Sequence, residues 1–121
     1  MGNDRVTLKI RLRQADKADC RRVWLWRNEK EVREFSFNSK KIPYRSHQKW
    51  FARKLASSGT KILIGENGTG SAVGQVRLDL MKKGTGEVHI LVRKSARGKG
   101  FGKRLLRQAC RYGFERLKLP Q

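Results

Sequence analysis

The sequence has few cysteines, few prolines and few acidic residues, and it has no long hydrophobic run. Its 121 residues include two cysteines, two prolines and ten Asp or Glu. Cys20 and Cys110 lie far apart and neither has a second cysteine nearby, so neither a disulfide framework nor a zinc finger is indicated. No apolar run approaches the roughly 18 residues of a membrane span.

The start of the chain also lacks targeting features. The first twelve residues, MGNDRVTLKIRL, have neither the apolar core nor the small-residue cleavage site of a secretory signal. Val6 stands where a myristoylation signal has Ser or Thr. We therefore expect a cytoplasmic protein with reduced thiols and no membrane association.

Positive charge is what the sequence has in excess. Thirty Lys and Arg against ten acids give a formal net charge of +20. Between residues 93 and 116, nine basic residues stand with one acid, Glu115. Such a field attracts polyanions such as nucleic acid, nucleotides or phosphorylated cofactors. For the positive charge of the chain as a whole, the alternative interpretation is a basic surface that is exposed to solvent and binds no polyanion.

The length fits one domain of mixed helices and strands. Alternation and helical spacing predict a strand at 7–13, helices at 18–28, 29–35 and 47–57, strands at 61–64, 72–80 and 87–92, and a helix at 103–115. Ser46 is the predicted N-cap of the third helix, and Asn67-Gly68 predicts a tight hairpin. In the strand at 72–80, the pattern places Val73, Gln75, Arg77 and Asp79 on one face.

A glycine-rich run, Arg97-Gly-Lys-Gly-Phe-Gly-Lys103, joins the last predicted strand to the last helix. Glycines let backbone N–H groups approach a ligand, and a helix N-terminus favours an anion. A Walker loop would need glycine at Arg97 and Ser or Thr at Arg104, and a dinucleotide loop would need glycine at Lys103. The spacing that fits is Arg-x-x-Gly-x-Gly.

This spacing, in this order of elements, resembles the acetyl-coenzyme A loop of the GNAT superfamily of N-acyltransferases. The resemblance covers residues 7 to about 119. It implies an α/β (α+β) fold with a mixed, mostly antiparallel sheet flanked by helices, here without the C-terminal strands. We expect residues 1–121 to be one incomplete domain: a truncated piece, a chain completed by a partner such as a second copy, or a naturally short protein.

The resemblance also implies how acetyl-coenzyme A would bind. Its pantetheine arm would meet backbone near Leu91 and Val92, and its pyrophosphate would meet the N–H groups of residues 98–103. The residues predicted to bind it are Leu91, Val92, Arg97, Gly98, Lys99, Gly100, Phe101, Gly102 and Lys103. Acetyl transfer would be direct, and no metal is expected.

Other matching segments resemble GNAT members that act on amino sugars of nucleotide sugars, of the pseudaminic-acid pathway type. These segments are Trp26-Arg-Asn28, Val32-Arg33, Ser36-Phe-Asn38, His47 with Trp50-Phe51, and Val73-Gly-Gln-Val-Arg77. The resemblance predicts an acceptor pocket that contains Arg27, Asn28, Arg33 and His47. Arg27 or Arg33 would hold an acceptor phosphate through two parallel hydrogen bonds. The alternative for each predicted pocket residue is an ordinary solvent-exposed side chain on a helix. The three tryptophans are expected in the core rather than as sugar-stacking platforms.

Acetylation of an amine needs a base, because an ammonium cannot attack a thioester. Glu87 and His89 share one face of the predicted strand at 87–92, and Glu87 is near where the family often places its base. A surface salt bridge is the alternative for Glu87, and a hydrogen-bonded strand histidine for His89. Asp79 is a weaker candidate. Tyr112 does not match the tyrosine that often protonates the thiolate in the family.

Three functions remain open from the sequence. The leading one is acetylation of a small primary amine, such as the amino sugar of a nucleotide sugar. The second is acetylation of protein N-termini, as in the ribosomal-protein acetyltransferases of the superfamily. The third is a nucleic-acid-binding module with a GNAT-like fold; the charge favours it, but no RNA-recognition motif is present.

Overall fold

The computed structural model describes residues 9–34, 40–81 and 84–115, apart from the side chains of residues 114 and 115. The strands are β1 (Arg11–Gln14), β2 (Thr60–Glu66), β3 (Ala72–Leu80) and β4 (Gly86–Val92). The helices are α1 (Cys20–Arg27), α2 (Lys30–Glu34), α3 (Tyr44–Ala56) and α4 (Phe101–Glu115), with short 3-10 turns at Lys17–Asp19 and Lys94–Ala96. The predicted order of elements is confirmed. The predicted start of the first strand and the possible strand at 117–119 lie outside the described residues.

The four strands form one antiparallel sheet in the order β1-β2-β3-β4. One face of the sheet packs against α4, with a core of Ile10, Leu63, Val76, Leu78, Leu105 and Ala109. The other face packs against α1 and α3, with a core of Val23, Trp26, Phe51, Ile62 and Ile64. The sheet is therefore covered on both sides, as its alternating apolar residues predict. Among the described helices, none is long and apolar enough to cross a membrane.

Two turns differ from the prediction. Helix α3 begins at Tyr44, so Pro43 and not Ser46 is its N-cap. The fixed φ of proline suits a helix start. Asn67-Gly68 does not make a two-residue turn, because the Oδ1 atom of Asn67 accepts the N–H groups of Thr69 and Ser71, each at 3.0 Å. This side chain organises a five-residue loop between β2 and β3 instead.

The predicted face of Val73 is wrong. Gly65 pairs with Gly74 and Glu66 pairs with Ala72, so Val73 has no opposite residue and forms a β-bulge. Its side chain joins the core under α4, whereas Gln75 faces the α1 and α3 side. Beyond the bulge, Gln75, Arg77 and Asp79 share one face as predicted.

Strands β3 and β4 approach closely at Gly74. A Cβ atom on Gly74 would lie 2.2 Å from the Leu91 carbonyl oxygen and 3.1 Å from the Val92 Cα atom. Both obstacles are backbone, which cannot rotate away as a side chain can. Glycine is therefore required here by packing.

A buried histidine joins α1 to α3. His47 is fully buried, and its Nε2 atom lies 2.8 Å from the Cys20 carbonyl oxygen. Its Nδ1 atom lies 3.0 Å from Nη1 of Arg27. A carbonyl only accepts and a guanidinium only donates, so the ring is neutral with its proton on Nε2. The prediction that His47 lines the acceptor pocket is corrected: its ring is in the core and positions Arg27.

We expect Gly74→Ala to lower the free energy of unfolding by about 1–3 kcal/mol, because the new methyl group overpacks against backbone. Gly59→Ala is the matched control, since its Cβ would meet only Ser57 Oγ at 3.7 Å. The control should remain within about 0.5 kcal/mol of the unmodified chain. Urea denaturation of both variants measures the difference, and equal stabilities would show that β3 and β4 tolerate separation.

We also expect stability to fall as the pH is lowered through the titration of His47. Burial lowers the pKa of His47 from its ordinary 6.5; the hydrogen bond to Cys20 opposes this shift, and the charge of Arg27 adds to it. Below pH 6.5 the unfolded chain therefore binds a proton that the folded chain does not. Stability is complete above that pH and declines below it, by at most about 1.4 kcal/mol per pH unit for one proton.

Urea denaturation at pH 7.5 and pH 5.5 tests this expectation. His47→Gln should show a smaller loss between the two pH values than the unmodified chain. His89→Gln measures what the other histidine contributes. An undiminished loss in His47→Gln would assign the pH dependence to other groups.

Candidate active site

The glycine-rich loop has the backbone conformation of an anion-binding loop. Gly98 and Gly100 have φ angles of +77° and +82°, which side-chain-bearing residues adopt only with strain. Helix α4 begins immediately afterwards, at Phe101. The N–H groups of its first turn have no carbonyl of their own helix to bind and carry the positive end of its dipole. Lys99 and Lys103 are exposed beside them.

Two of the predicted cofactor-binding residues, Phe101 and Gly102, also lie against other parts of the fold. The Phe101 side chain is buried in the core with Leu105 and Ala96, so only its backbone can meet a ligand. A Cβ on Gly102 would touch only Val92, at 3.9 Å. The loop residues therefore offer backbone N–H groups and flexible lysines, a donor set that fits a pyrophosphate group.

Arg97 is held by protein groups. Its Nε atom donates to the Val92 carbonyl oxygen at 2.9 Å, and its Nη2 atom forms an ion pair with Glu29. The other carboxylate oxygen of Glu29 accepts the Lys94 N–H at 3.0 Å. These contacts shape the loop from the turn between α1 and α2. A direct contact of Arg97 with a phosphate stays a prediction.

The outer edge of β4 has no strand beside it among the described residues. The N–H of Met81 donates to Thr85 and that of Arg93 donates to Val73, each at 2.8 Å. By the alternation of an antiparallel pair, the backbone groups of Leu91 then face β3, and those of Val92 face the open edge. Of the two residues predicted to meet a pantetheine arm, Val92 is the better placed for backbone contact.

The two predicted catalytic residues meet a third group. The Nε2 atom of His89 lies 3.2 Å from Oδ2 of Asp79 and 3.4 Å from Oε2 of Glu87. Asp79 also accepts from Nε of Arg77, at 3.1 Å. The imidazole and the Glu87 side chain are exposed, so a solvent-borne amine can reach them. A proton on Nε2 can pass to either carboxylate.

The same three side chains are the candidate metal ligands of the described residues. The donor atoms of Asp79, Glu87 and His89 all lie within 4.8 Å of one another. Arg77 already neutralises Asp79, which weakens the site for a cation. Metal-independent transfer stays a prediction.

A pair of arginines lies next to this cluster, around Trp50. The Arg27 guanidinium is 4.1 Å from the centre of the Trp50 ring and that of Arg77 is 5.7 Å away. Burial lowers the pKa of Arg27, and the charge of Arg77 lowers it further. Trp26 is buried in the core as expected, and Trp50 is partly buried and packs against the same core while its ring contacts the two cations.

The other two predicted acceptor residues are occupied by structural contacts. Asn28 donates from Nδ2 to the Ile42 carbonyl at 3.0 Å and accepts the Ile42 N–H at 2.7 Å. Arg33 donates from Nε to the Asn28 carbonyl at 3.0 Å. The Asn28 amide thus holds the segment before α3 in place, and its contact with an acceptor stays a prediction. An acceptor contact of Arg33 stays a prediction.

Sequence reasoning did not assign a role to several residues of the site. Glu29 is 68 positions from its partner Arg97, a separation that no local pattern reveals. Gln75 and Arg77 were predicted to lie on one face of β3 with Asp79. Polar residues on a sheet face that amphipathic helices cover could have indicated a functional site. Trp50 was expected in the core because it adjoins Phe51.

Comparisons with known proteins agree with this architecture. The profile of the acetyltransferase (GNAT) domain matches residues 9–121. No curated protein sequence matches the chain. Among solved structures, the chain is similar to spermidine N-acetyltransferase from Vibrio cholerae in complex with CoA and spermine, with a TM-score of 0.82 and 20% identity over 91% of this chain and 66% of that one.

Two further structures of the Vibrio cholerae protein show the same likeness. A chimera of SpeG and hSSAT gives a TM-score of 0.79 at 18% identity, covering 91% of this chain and 66% of that one. The dodecameric form in an intermediate state gives 0.74 at 18% identity, covering 91% and 65%. The chain thus spans just under two thirds of the length of these proteins, whose likeness concerns the fold. Because the domain profile covers nearly all of the sequence, the chain belongs to the acetyltransferase (GNAT) domain family.

Proposed function

We propose that the protein transfers an acetyl group from acetyl-coenzyme A to a primary amine. The observation that carries the proposal is the Arg-x-x-Gly-x-Gly loop. Its two left-handed glycines precede α4, and its lysines are exposed beside the free N–H groups of that helix. Backbone donors at a helix N-terminus suit the pyrophosphate of the cosubstrate. A cytoplasmic location agrees with two unpaired cysteines.

In this proposal the acetyl thioester supplies the carbonyl carbon for the new amide bond, and its carbon–sulfur bond breaks. The work of the chain is to bind, orient and remove a proton. Either Glu87 or His89 takes the proton that the ammonium must lose before attack, and Asp79 positions His89. Attack leaves a second proton to be lost from the nitrogen, and the departing thiolate takes up one, so that the products are one amide, one thiol and one released proton. No covalent bond to the protein forms.

We further propose that a neighbouring strand completes the open edge of β4. It would come either from the remainder of a longer chain or from a second copy. An amino sugar of a nucleotide sugar is one candidate acceptor. The similar Vibrio cholerae structures suggest a polyamine as another, since one of them holds spermine.

We expect acetyl-coenzyme A to bind saturably and more tightly than ADP. The loop can bind the pyrophosphate of either molecule, but only acetyl-coenzyme A has the pantetheine arm that is predicted to contact β4. Gly100→Ala should weaken binding about tenfold, since a left-handed conformation costs an alanine about 1–2 kcal/mol and displaces the loop. Gly70→Ala is the matched control, with a φ of +85° and an equally open Cβ position. Calorimetric titration measures all three proteins.

Equal affinity for acetyl-coenzyme A and ADP would show that the chain binds only the part that the two molecules share, and would contradict the predicted contact with the pantetheine arm. Salt-dependent RNA binding without coenzyme A affinity would instead favour the nucleic-acid-binding module. An unchanged affinity in Gly100→Ala would remove the loop from the proposed site.

We expect Glu87→Gln and His89→Gln each to lower kcat for amine acetylation by about 100-fold or more, the usual range for loss of a general base. Glu34→Gln, an exposed acid on α2, is the control. Release of free thiol from acetyl-coenzyme A with a primary amine measures the rate. A chelator should not change it. Retained kcat in both variants would place the base elsewhere.

A further inference from the structure

The arginines around Trp50 are poorly neutralised. Among the described residues, no carboxylate lies within ion-pair distance of Arg27; its guanidinium touches the neutral His47 and the Trp50 ring. Residues 35–39, which are not described, contain no acid. Arg77 has one carboxylate partner, Asp79, which it shares with His89. Two cations that share one indole and one carboxylate carry a net positive charge, which attracts an anion.

A second, independent feature lies on the same face of the sheet. Gln75 is 4% exposed, and its Oε1 atom has no hydrogen-bond partner among the described residues. A buried carbonyl without a donor is costly, and such groups are usually satisfied by a ligand or water. Gln75 lies two positions before Arg77 on β3, and its register partner is Leu91 of β4. It therefore offers an acceptor for an N–H or O–H of a molecule that also contacts the arginines.

The arginines adjoin the candidate base. Arg77 is the register partner of His89, and directly opposite residues have Cβ atoms about 5 Å apart. Asp79 contacts both Arg77 and His89, whereas the only ion pair of Glu87 among the described residues is with His89, so the Glu87 carboxylate suits an ammonium. The face thus has a basic part around Trp50 and an acidic part around His89. A molecule with an amine and an oxyanion matches both parts.

We propose that Arg27, Trp50 and Arg77 form an anion subsite for the acceptor, so that the protein acetylates amines that also carry a phosphate or a carboxylate and disfavours polyamines. This inference rests on the proposed acetyltransferase function. Arg27 is held in place by His47, and Trp50 supplies a flat face for the guanidinium. A polyamine would bring only positive charge to this pair.

Matched acceptors test the proposal at 0.2 M salt, with acetyl-coenzyme A binding measured first. Glucosamine 6-phosphate is compared with glucosamine, 4-aminobutyrate is compared with butylamine, and spermidine completes the set. We expect the member that carries the anionic group in at least one pair to have a kcat/KM at least tenfold above that of its partner without this group and above that of spermidine. The pair that shows the effect identifies phosphate or carboxylate as the preferred anion.

Variants then locate the effect. Arg27→Gln and Arg77→Gln should each reduce the preference for the anionic member about tenfold, mainly through KM. Arg21→Gln is the matched control, because Arg21 is exposed on the same helix and lies 6.0 Å from the ring of Trp24. Arg27→Lys keeps the charge and should restore part of the preference even if Arg27→Gln is unstable. Spermidine turnover above that of every anionic amine, or a preference unaffected by both glutamine variants, would overturn the proposal.

Failure of the proposed function gives a different result. If acetyl-coenzyme A does not bind, or no acceptor is turned over, direct titration with glucosamine 6-phosphate decides on the subsite alone. The dissociation constant should then rise at least fivefold in Arg27→Gln and Arg77→Gln but not in Arg21→Gln or Gly100→Ala. Equal constants in all four variants, or no saturable binding to the unmodified chain, would show that no anion subsite exists.

Discussion

The carboxylate of Glu29 is the group on which the geometry of the site depends. It accepts the Lys94 N–H and pairs with Arg97, which in turn holds the Val92 carbonyl. One side chain from the turn between α1 and α2 thereby fixes the end of β4 and the start of the glycine-rich loop. The loop covers one side of the sheet edge and the helices cover the other. Glu31 of α2 adds longer ion pairs to the same two residues, with Lys94 at 3.6 Å and with Arg97 at 3.7 Å.

Electrostatics divides the site in a way that the overall charge conceals. A chain with a net charge of +20 would be expected to present positive potential everywhere. The described residues instead gather Asp79 and Glu87 beside His89 on one sheet face. The arginines around Trp50 border this acidic group, and the loop lysines lie beyond the end of β4. Each cluster favours a different part of the proposed reactants, so their arrangement orders the reactants along the strand.

The sequence was informative where a function depends on local backbone. The spacing of Gly100 and Gly102 after Arg97 and the alternation in β3 and β4 were sufficient to predict the loop, its place between a strand and a helix, and the shared face of Glu87 and His89. Contacts between distant segments could not be predicted. His47 and Phe51 are four residues apart on α3 and thus on one helical face, which was a signal for burial. The bulge at Val73 could not be predicted from the alternation of β3, because a bulge depends on how β3 pairs with β2. It places the Val73 side chain on the opposite face from the predicted one.

The acceptor residues show the limit most clearly. Arg27, Asn28 and His47 came from one resemblance, yet they have three different roles in the fold. Arg27 lies against Trp50, Asn28 fastens Ile42, and His47 is enclosed in the core. Residue type and position did not separate these roles, because packing decides which polar side chain remains accessible.

The glycine at position 74 has a consequence for the spacing of the site. Since only a residue without a side chain fits against the Leu91 carbonyl, β4 cannot slide along β3 by one residue without a collision. The register is locked, and with it the three-residue interval from His89 to Val92. At about 3.3 Å per residue this interval is roughly 10 Å. Gly74 therefore fixes the distance between the candidate base, His89, and the start of the glycine-rich loop.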